Sequence, residues 1–259
     1  MRNLIRAPRR STAAMVFCVA GAVGWTIPAH AQSAGVDPQA TAILKKSTDY
    51  VAGLKQFSGE VQAILEAVLQ SGQRLQFDTA VTFTVQRPNK LVAQRKGDLV
   101  NQTFYYDGKT LTLYNADRNV HATLPAPATL DGMIDLAADS LDIIAPGGDL
   151  LYSNAYDVLM QDVASGFVVG QAVVAGVRCV HLAFRKPEVD WQIWIEEGAK
   201  PLPRRLVITS TQVAGAPQMT MTMTHWNTAP KVAEGAFTFA PPQGARQTEF
   251  LKRPTAGTK

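Results

Sequence analysis

The 259 residues are ample for a sizeable buried core, and 46% hydrophobic against 18% charged residues, with 19 Gly and 15 Pro, excludes a disordered, fibrous or coiled-coil chain. The formal net charge of +4 does not mark a nucleic-acid binder. Arg2, Arg6, Arg9 and Arg10 precede residue 32 and no acid does, so the remainder balances its 21 acidic residues with as many basic ones.

The chain opens with the three parts of a secretory signal peptide over residues 1–31: a basic start, an apolar run from Ala13 to Trp25, and Ala29-His30-Ala31 as a cleavage site. The run is too short to span a bilayer, which takes about 20 residues. Ser11 and Thr12 after Arg9-Arg10 favour general secretion over twin-arginine export, so the protein is expected in the periplasm, cleaved after Ala31. Cys18 lies in the leader. Cys179 then stands alone, no internal disulfide can form, and the core must hold the fold.

From Asp37 to Leu54, apolar positions recur at three- and four-residue spacing, predicting an amphipathic helix with Asp37-Pro38 as N-cap and first turn. Ser58 to Leu124 alternates instead, and turn signals cut it into about six strands, Asp107-Gly108 being the sharpest. A lid-like helix follows on Leu130, Met133, Ile134, Ala137, Leu141 and Ile144, stopped by Pro146-Gly147-Gly148, and a second short helix is expected from about Tyr156 to Val163. Phe167 to Phe239 returns to about five strands, and a Pro- and Gly-containing tail begins at 241. The organisation expected is a leader at 1–31, one domain at 32–240 and a tail at 241–259.

Some eleven strands with three helices can close as a barrel or curl into an open half-barrel with helices over one side. Val81, Phe83 and Val85 share one face and Thr82, Thr84 and Gln86 the other, which favours the open form. Arg87 falls on the greasy side. Met219, Met221 and Met223 alternate with Thr220, Thr222 and Thr224, so three of the five methionines beyond residue 31 form one row. Such a row is either ordinary core or a surface that adapts to more than one apolar shape.

The run Arg87-Pro88-Asn89-Lys90-Leu91, followed by Phe104 to Asn115, resembles the periplasmic carrier superfamily of LolA, LolB and RseB. Tyr105 to Tyr114, Asp190 to Ile195 and Pro201-Leu202-Pro203-Arg204-Arg205 bring the chain nearer to an uncharacterised family of predicted periplasmic proteins, DUF2092, over about residues 40 to 248. The resemblance implies a mainly β, antiparallel open half-barrel of about eleven strands with an N-terminal helix and a helical lid over an apolar cavity. It also implies that Arg87 holds the lid closed. Lys90, Leu91 and Ala93 stand where the carriers have aromatic residues, so a greasy cavity carries over and the lipoprotein cargo does not.

Alternation places Val81, Phe83, Val85, Leu91, Leu111, Leu113, Trp191, Ile193, Met219, Met221 and Met223 on the cavity wall, across from the lid helix. With Arg87 they form the candidate ligand-binding set, and the C-terminal end of the lid helix near Asp142 to Ala145 is the expected acceptor for its guanidinium. Asp131, Asp135, Asp139 and Asp142 line the lid helix opposite its apolar face, either solvated or facing a basic partner such as a membrane receptor. Cys179 and His181 share a strand face, but two ligands do not make a zinc site. Asp190 and Glu196 lie roughly 20 Å apart along one strand, too far for paired-carboxylate hydrolysis. No catalytic residue, metal or cofactor is therefore assigned, and neither nucleic acid nor an oligomeric partner is called for. The reading is a monomeric binding or carrier protein that shields a lipid or other apolar molecule. The alternatives are an RseB-like sensor or adaptor that binds a protein on the same fold and, further off, a hydrolase.

Overall fold

The computed structural model describes residues 35–250 apart from 142, 144 and 146. The expected leader, Cys18 and the residues after 250 therefore lie outside it. Helix α1 (Pro38–Gly53) begins where Asp37 accepts a hydrogen bond from Gln39 N at 2.8 Å, with Pro38 in the first turn, where its missing N–H costs nothing. Six strands follow: β1 (Gln56–Val68), β2 (Arg74–Gln86), β3 (Lys90–Gly97), β4 (Asn101–Tyr106), β5 (Thr110–Asn115) and β6 (Val120–Pro125). At the β4–β5 turn Asp107 Oδ1 accepts from the backbone N–H of both Lys109 and Thr110. That carboxylate fixes the hairpin announced by Asp107-Gly108.

Helix α2 (Leu130–Leu141) comes next, then a 3-10 helix (Gly148–Leu151) and helix α3 (Ala155–Met160). The chain then returns to strands β7 (Ser165–Val174), β8 (Val177–Arg185), β9 (Val189–Glu196), β10 (Pro203–Ser210) and β11 (Gln218–Asn227). The order of α-helices and of the first eleven strands is the one the periodicities predict, while the 3-10 helix is not foreseen by them. One strand is added: β12 (Arg246–Thr248), drawn from the segment expected as a tail, so the sheet has twelve strands instead of about eleven.

The sheet runs β12-β6-β5-β4-β3-β2-β1-β11-β10-β9-β8-β7 and stays open, antiparallel throughout except where β12 pairs parallel to β6. Before reaching β12 the chain crosses the outer face, where Phe239 packs on Tyr105, Tyr114 and His121. After β12, Phe250 packs against the core on the inner face. The C-terminal segment thus wraps the β6 edge from one face to the other.

The inner face carries two packed clusters. Ala40 and Leu44 of α1, Leu150 of the 3-10 helix and Leu159 of α3 cover Leu182, Phe184, Trp191, Ile193, Leu206, Met221 and Met223. Leu130, Met133, Ala137 and Leu141 of α2, with Val51 of α1, cover Phe57, Val85, Leu91, Tyr106 and Leu111. Trp226 touches both clusters. A bulge puts it there: Ser58 pairs with Asn227 and Glu60 with Thr224, so Gly59 alone faces His225 and Trp226. His225 takes a positive φ of 51° and points its ring at Glu60 at 3.0 Å, while Trp226 turns inward onto Phe57 and Phe83. Gly59 leaves room at this crossing, since a Cβ there would lie 2.9 Å from Phe83 Cζ and push the ring aside.

Candidate ligand-binding face

The ladder registers settle which side chains share a face. One inner row runs Phe57, Val85, Leu91, Tyr106, Leu111 and Leu124. The next runs Gly59, Phe83, Ala93, Phe104, Leu113 and Ala122. Toward the other half of the sheet on the same face, Leu182, Ile193, Leu206, Met221 and Ala63 form one row and Phe184, Trp191, Ile208, Met219, Leu65 and Phe77 another. Met223, Val61 and Val81 begin a fifth row that turns polar at Arg95 and Gln102. All the side chains that alternation assigned to the wall therefore lie on this one face.

They do not all lie opposite the lid helix. Val85, Leu91 and Leu111 are buried under α2, whereas Trp191, Ile193, Met221 and Met223 are buried under α1, the 3-10 helix and α3. The loop after α2 reaches the methionine row as well, because a Cβ on Gly147 would meet Met221 Sδ at 3.4 Å. Val81, Phe83, Leu113 and Met219 are half-buried. The greasy wall is thus largely filled by helices. The Trp191–Met219 row runs on to Leu65, 40% exposed, and half-buried Phe77 on the long β1–β2 hairpin.

Arg87 points inward, as its parity predicts, but its acceptor is different. Nη2 donates to the carbonyl of Leu151, at the end of the 3-10 helix, at 2.8 Å, and the guanidinium lies 5.9 Å from the Phe57 ring centre. The expected acceptor segment is corrected to this one; Asp142 and Ile144 lie outside the described residues. Burial pulls the Arg87 pKa below its ordinary value, opposed by the charge of Asp131, and its Nε has no hydrogen-bond partner among the described residues. An arginine stays charged regardless. The site therefore holds a cation that one lid carbonyl partly satisfies.

The aspartates of α2 are also not simply a solvated face. Asp131 accepts from the backbone N–H and the hydroxyl of Ser153, and Asp135 accepts from Tyr152 OH at 2.6 Å. Burial and that bond push the Tyr152 hydroxyl well above its usual pKa. These pairs clasp α2 to the segment that Arg87 holds from below. Nothing in the sequence between residues 131 and 153 announces this, since the partners meet only after the chain folds back.

The remaining polar candidates are engaged structurally. His181 stacks on Trp194 at 3.9 Å and shares a hydrogen bond with Gln192, and burial lowers its pKa despite that bond. The Cys179 thiol is buried, which raises its pKa, and donates to Val177 O. Asp190 accepts two 2.7 Å bonds from Arg185, which hold it below the usual carboxylate range, and Glu196 accepts two from Arg204. Among the described residues no three His, Cys, Asp or Glu side chains gather as a metal site.

Two clefts stand out elsewhere. A hydroxyl-rich groove of about 400 Å³ lies on the outer face over Ser58, Thr82, Thr84, Gln94, Thr103 and Tyr105. A second, of about 370 Å³, lies where α1 meets the ends of β8 and β9, between Ile43, Lys46, Arg178, Val180 and Ile195.

An open β-sheet roofed by helices on one apolar face is thus the class of molecule. The chain belongs to the DUF2092 family of predicted periplasmic proteins, whose pattern it matches over residues 40–251. No curated protein matches it in sequence. Among solved structures, it is similar to LprF from Mycobacterium bovis, with 16% identity, a TM-score of 0.48 and coverage of 78% of this chain and 99% of that one. It is also similar to MucB in complex with MucA, at 13% identity and a TM-score of 0.42, covering 78% and 60%. A LolA superfamily protein from Nitrosomonas europaea shows 10% identity and a TM-score of 0.38, covering 77% and 97%. Among the described residues no helix is long and apolar enough to cross a membrane.

Proposed function

We propose that this protein is a periplasmic, non-catalytic binding protein that takes up a lipid or other apolar molecule between the inner face of its sheet and the helices over it. The observation that carries this reading is the row Phe184, Trp191, Ile208, Met219 and Leu65, a continuous apolar track from beneath the helices to solvent. An acyl chain lying on it would be removed from water at about 25 cal/mol per Å². Loading requires the covering helices to give way, and the methionines at the centre suit a wall that must repack around variable shapes. Native mass spectrometry of the protein purified from its own periplasm tests this. Co-purifying lipid is the expected result, and a protein that remains bare there and after incubation with total membrane lipid would overturn the reading.

A second reading, an adaptor for a protein partner, has one observation in its favour. Edge strand β7 shows Phe167, Val169 and Val173 to solvent, the last at 68% exposure, and Gly166 to Val174 contains no charge or proline. Such an edge accepts an added strand. A polypeptide in place of lipid in the same spectra, lost when Val173 becomes Lys, would select it.

A further inference from the structure

The cleft beside α1 is a half-open groove that the inner-face track does not use. Its floor is apolar: Val180 and Ile195 come from the inner face of β8 and β9, and Ile43 from α1. Pro201 closes one end, held there because the buried Ser47 hydroxyl donates to its carbonyl at 2.7 Å. At about 370 Å³ the cleft is at the small end of ligand pockets and holds part of a long molecule, not the whole of it.

Two cations, Lys46 and Arg178, and two carboxylates, Glu196 and Glu197, line its rim, and Arg204 beside it brings a third cation. Glu196 is neutralised by Arg204, with Nε at 3.0 Å, and Glu197 by Arg178, at 3.2 Å, while also accepting from Gln171 at 3.1 Å. Lys46 is left over. Among the described residues its only hydrogen bond is a long 3.4 Å contact to the carbonyl of Gly198, and each rim carboxylate is paired with an arginine. Arg178 is 82% exposed, so its pairing with Glu197 is weak and easily exchanged for another anion. An apolar floor under one unmatched cation selects a molecule with a greasy chain and a single negative end.

We infer that this cleft takes the anionic end of a monoanionic amphiphile, a long-chain carboxylate, with the carboxylate at Lys46 and the first methylenes on Ile43, Val180 and Ile195. The inference rests on the apolar-ligand reading, since the chain would continue from Ile195 beneath α1 toward the same inner-face cluster. It adds polarity and direction to that reading. The ligand would enter with its tail leading and its head left at the rim.

Amide NMR titration of the mature chain at pH 7.5 with decanoate, and in parallel with 1-decanol, separates the two claims. Decanoate is expected to bind about tenfold more tightly than decanol and to shift the Gly198 and Val180 amides. Lys46→Gln, at an exposed position, should abolish the preference while leaving decanol binding unchanged, and Lys46→Arg should restore it. Equal binding of the two probes, or a preference that survives Lys46→Gln, overturns the head-group site and leaves the apolar-ligand reading standing. If neither probe binds wild type anywhere, both fall.

Discussion

The two halves of the sheet are roofed in different ways. Over β7 to β11, α1 is pinned by buried and backbone contacts: Ser47 to Pro201, and Asp37 N to the carbonyl of Gly166 at 2.8 Å. Over β2 to β6, α2 is attached at its start, where Leu130 N donates to Pro88 O at 3.0 Å, and beyond that by exposed side-chain bonds from Asp131 and Asp135. Both roofs bury apolar side chains and each has a backbone bond near its start, but the side-chain bond of α1, from Ser47, is buried, whereas those of α2 are exposed. Exposed bonds break in pieces at low cost, so α2 is expected to loosen more readily than α1.

The largest test of that contrast is Leu44→Ala, which removes a fully buried side chain from the α1 cluster. It should cost about 2–5 kcal/mol of global stability, measured by urea unfolding. Met133→Ala in α2 should instead speed amide exchange in α2 selectively, with a smaller shift in the urea midpoint. Equal global losses for the two would erase the distinction. Arg87→Leu comes next. Losing its bond to Leu151 O, offset by relief of a buried charge, should release the 148–153 segment by about 1–2 kcal/mol, seen as faster exchange there and faster uptake of a fluorescent fatty acid. Unchanged exchange and uptake would mean that the arginine holds nothing.

A smaller effect is expected from Tyr152→Phe, which keeps the ring and removes the bond to Asp135. It should loosen α2 by about 0.5–1.5 kcal/mol without moving the α1 half. The smallest concerns neither roof and serves as a control. Asp107 is partly buried, which would raise its pKa, but the backbone N–H groups of Thr110 and Lys109 outweigh this and hold it low. Its contribution to stability is therefore present above the unfolded carboxylate value of about 3.9 and lost as pH falls through the lower folded value. Solvent screening keeps the effect below about 1 kcal/mol. Asp107→Ala should flatten that part of the pH profile, leaving exchange of both roofs unchanged.

Much of this was readable before folding. Alternation reported which face Val81, Met221 and Ile193 would share because strand parity is a local property, and the α1 cap and the Asp107 hairpin are local as well. The bulge was not readable. Counting on from Met223 puts His225 inward and Trp226 outward, and the extra residue reverses both, so the aromatic that joins the two clusters was missed. The true acceptor for Arg87 and the roles of Asp131 and Asp135 were hidden for another reason. Each depends on where residues 151–153 come to rest, which no spacing in the chain encodes. Side-chain parity likewise says which way a residue points but not what lies on it, so a wall expected to enclose a cavity is mostly filled by helices.

The wrap of the C-terminal segment around β6 sets an order of events in time. Strand β12, the last among the described residues, pairs with a strand made when about half of the chain had been synthesised. While the chain is synthesised N-terminus first, the outer edge of β6 lacks its partner strand, and such an edge is open to other extended chains. Closure comes only when Phe239 and Phe250 can grip the sheet from opposite sides, so the residues around β12 end the period in which that edge is open.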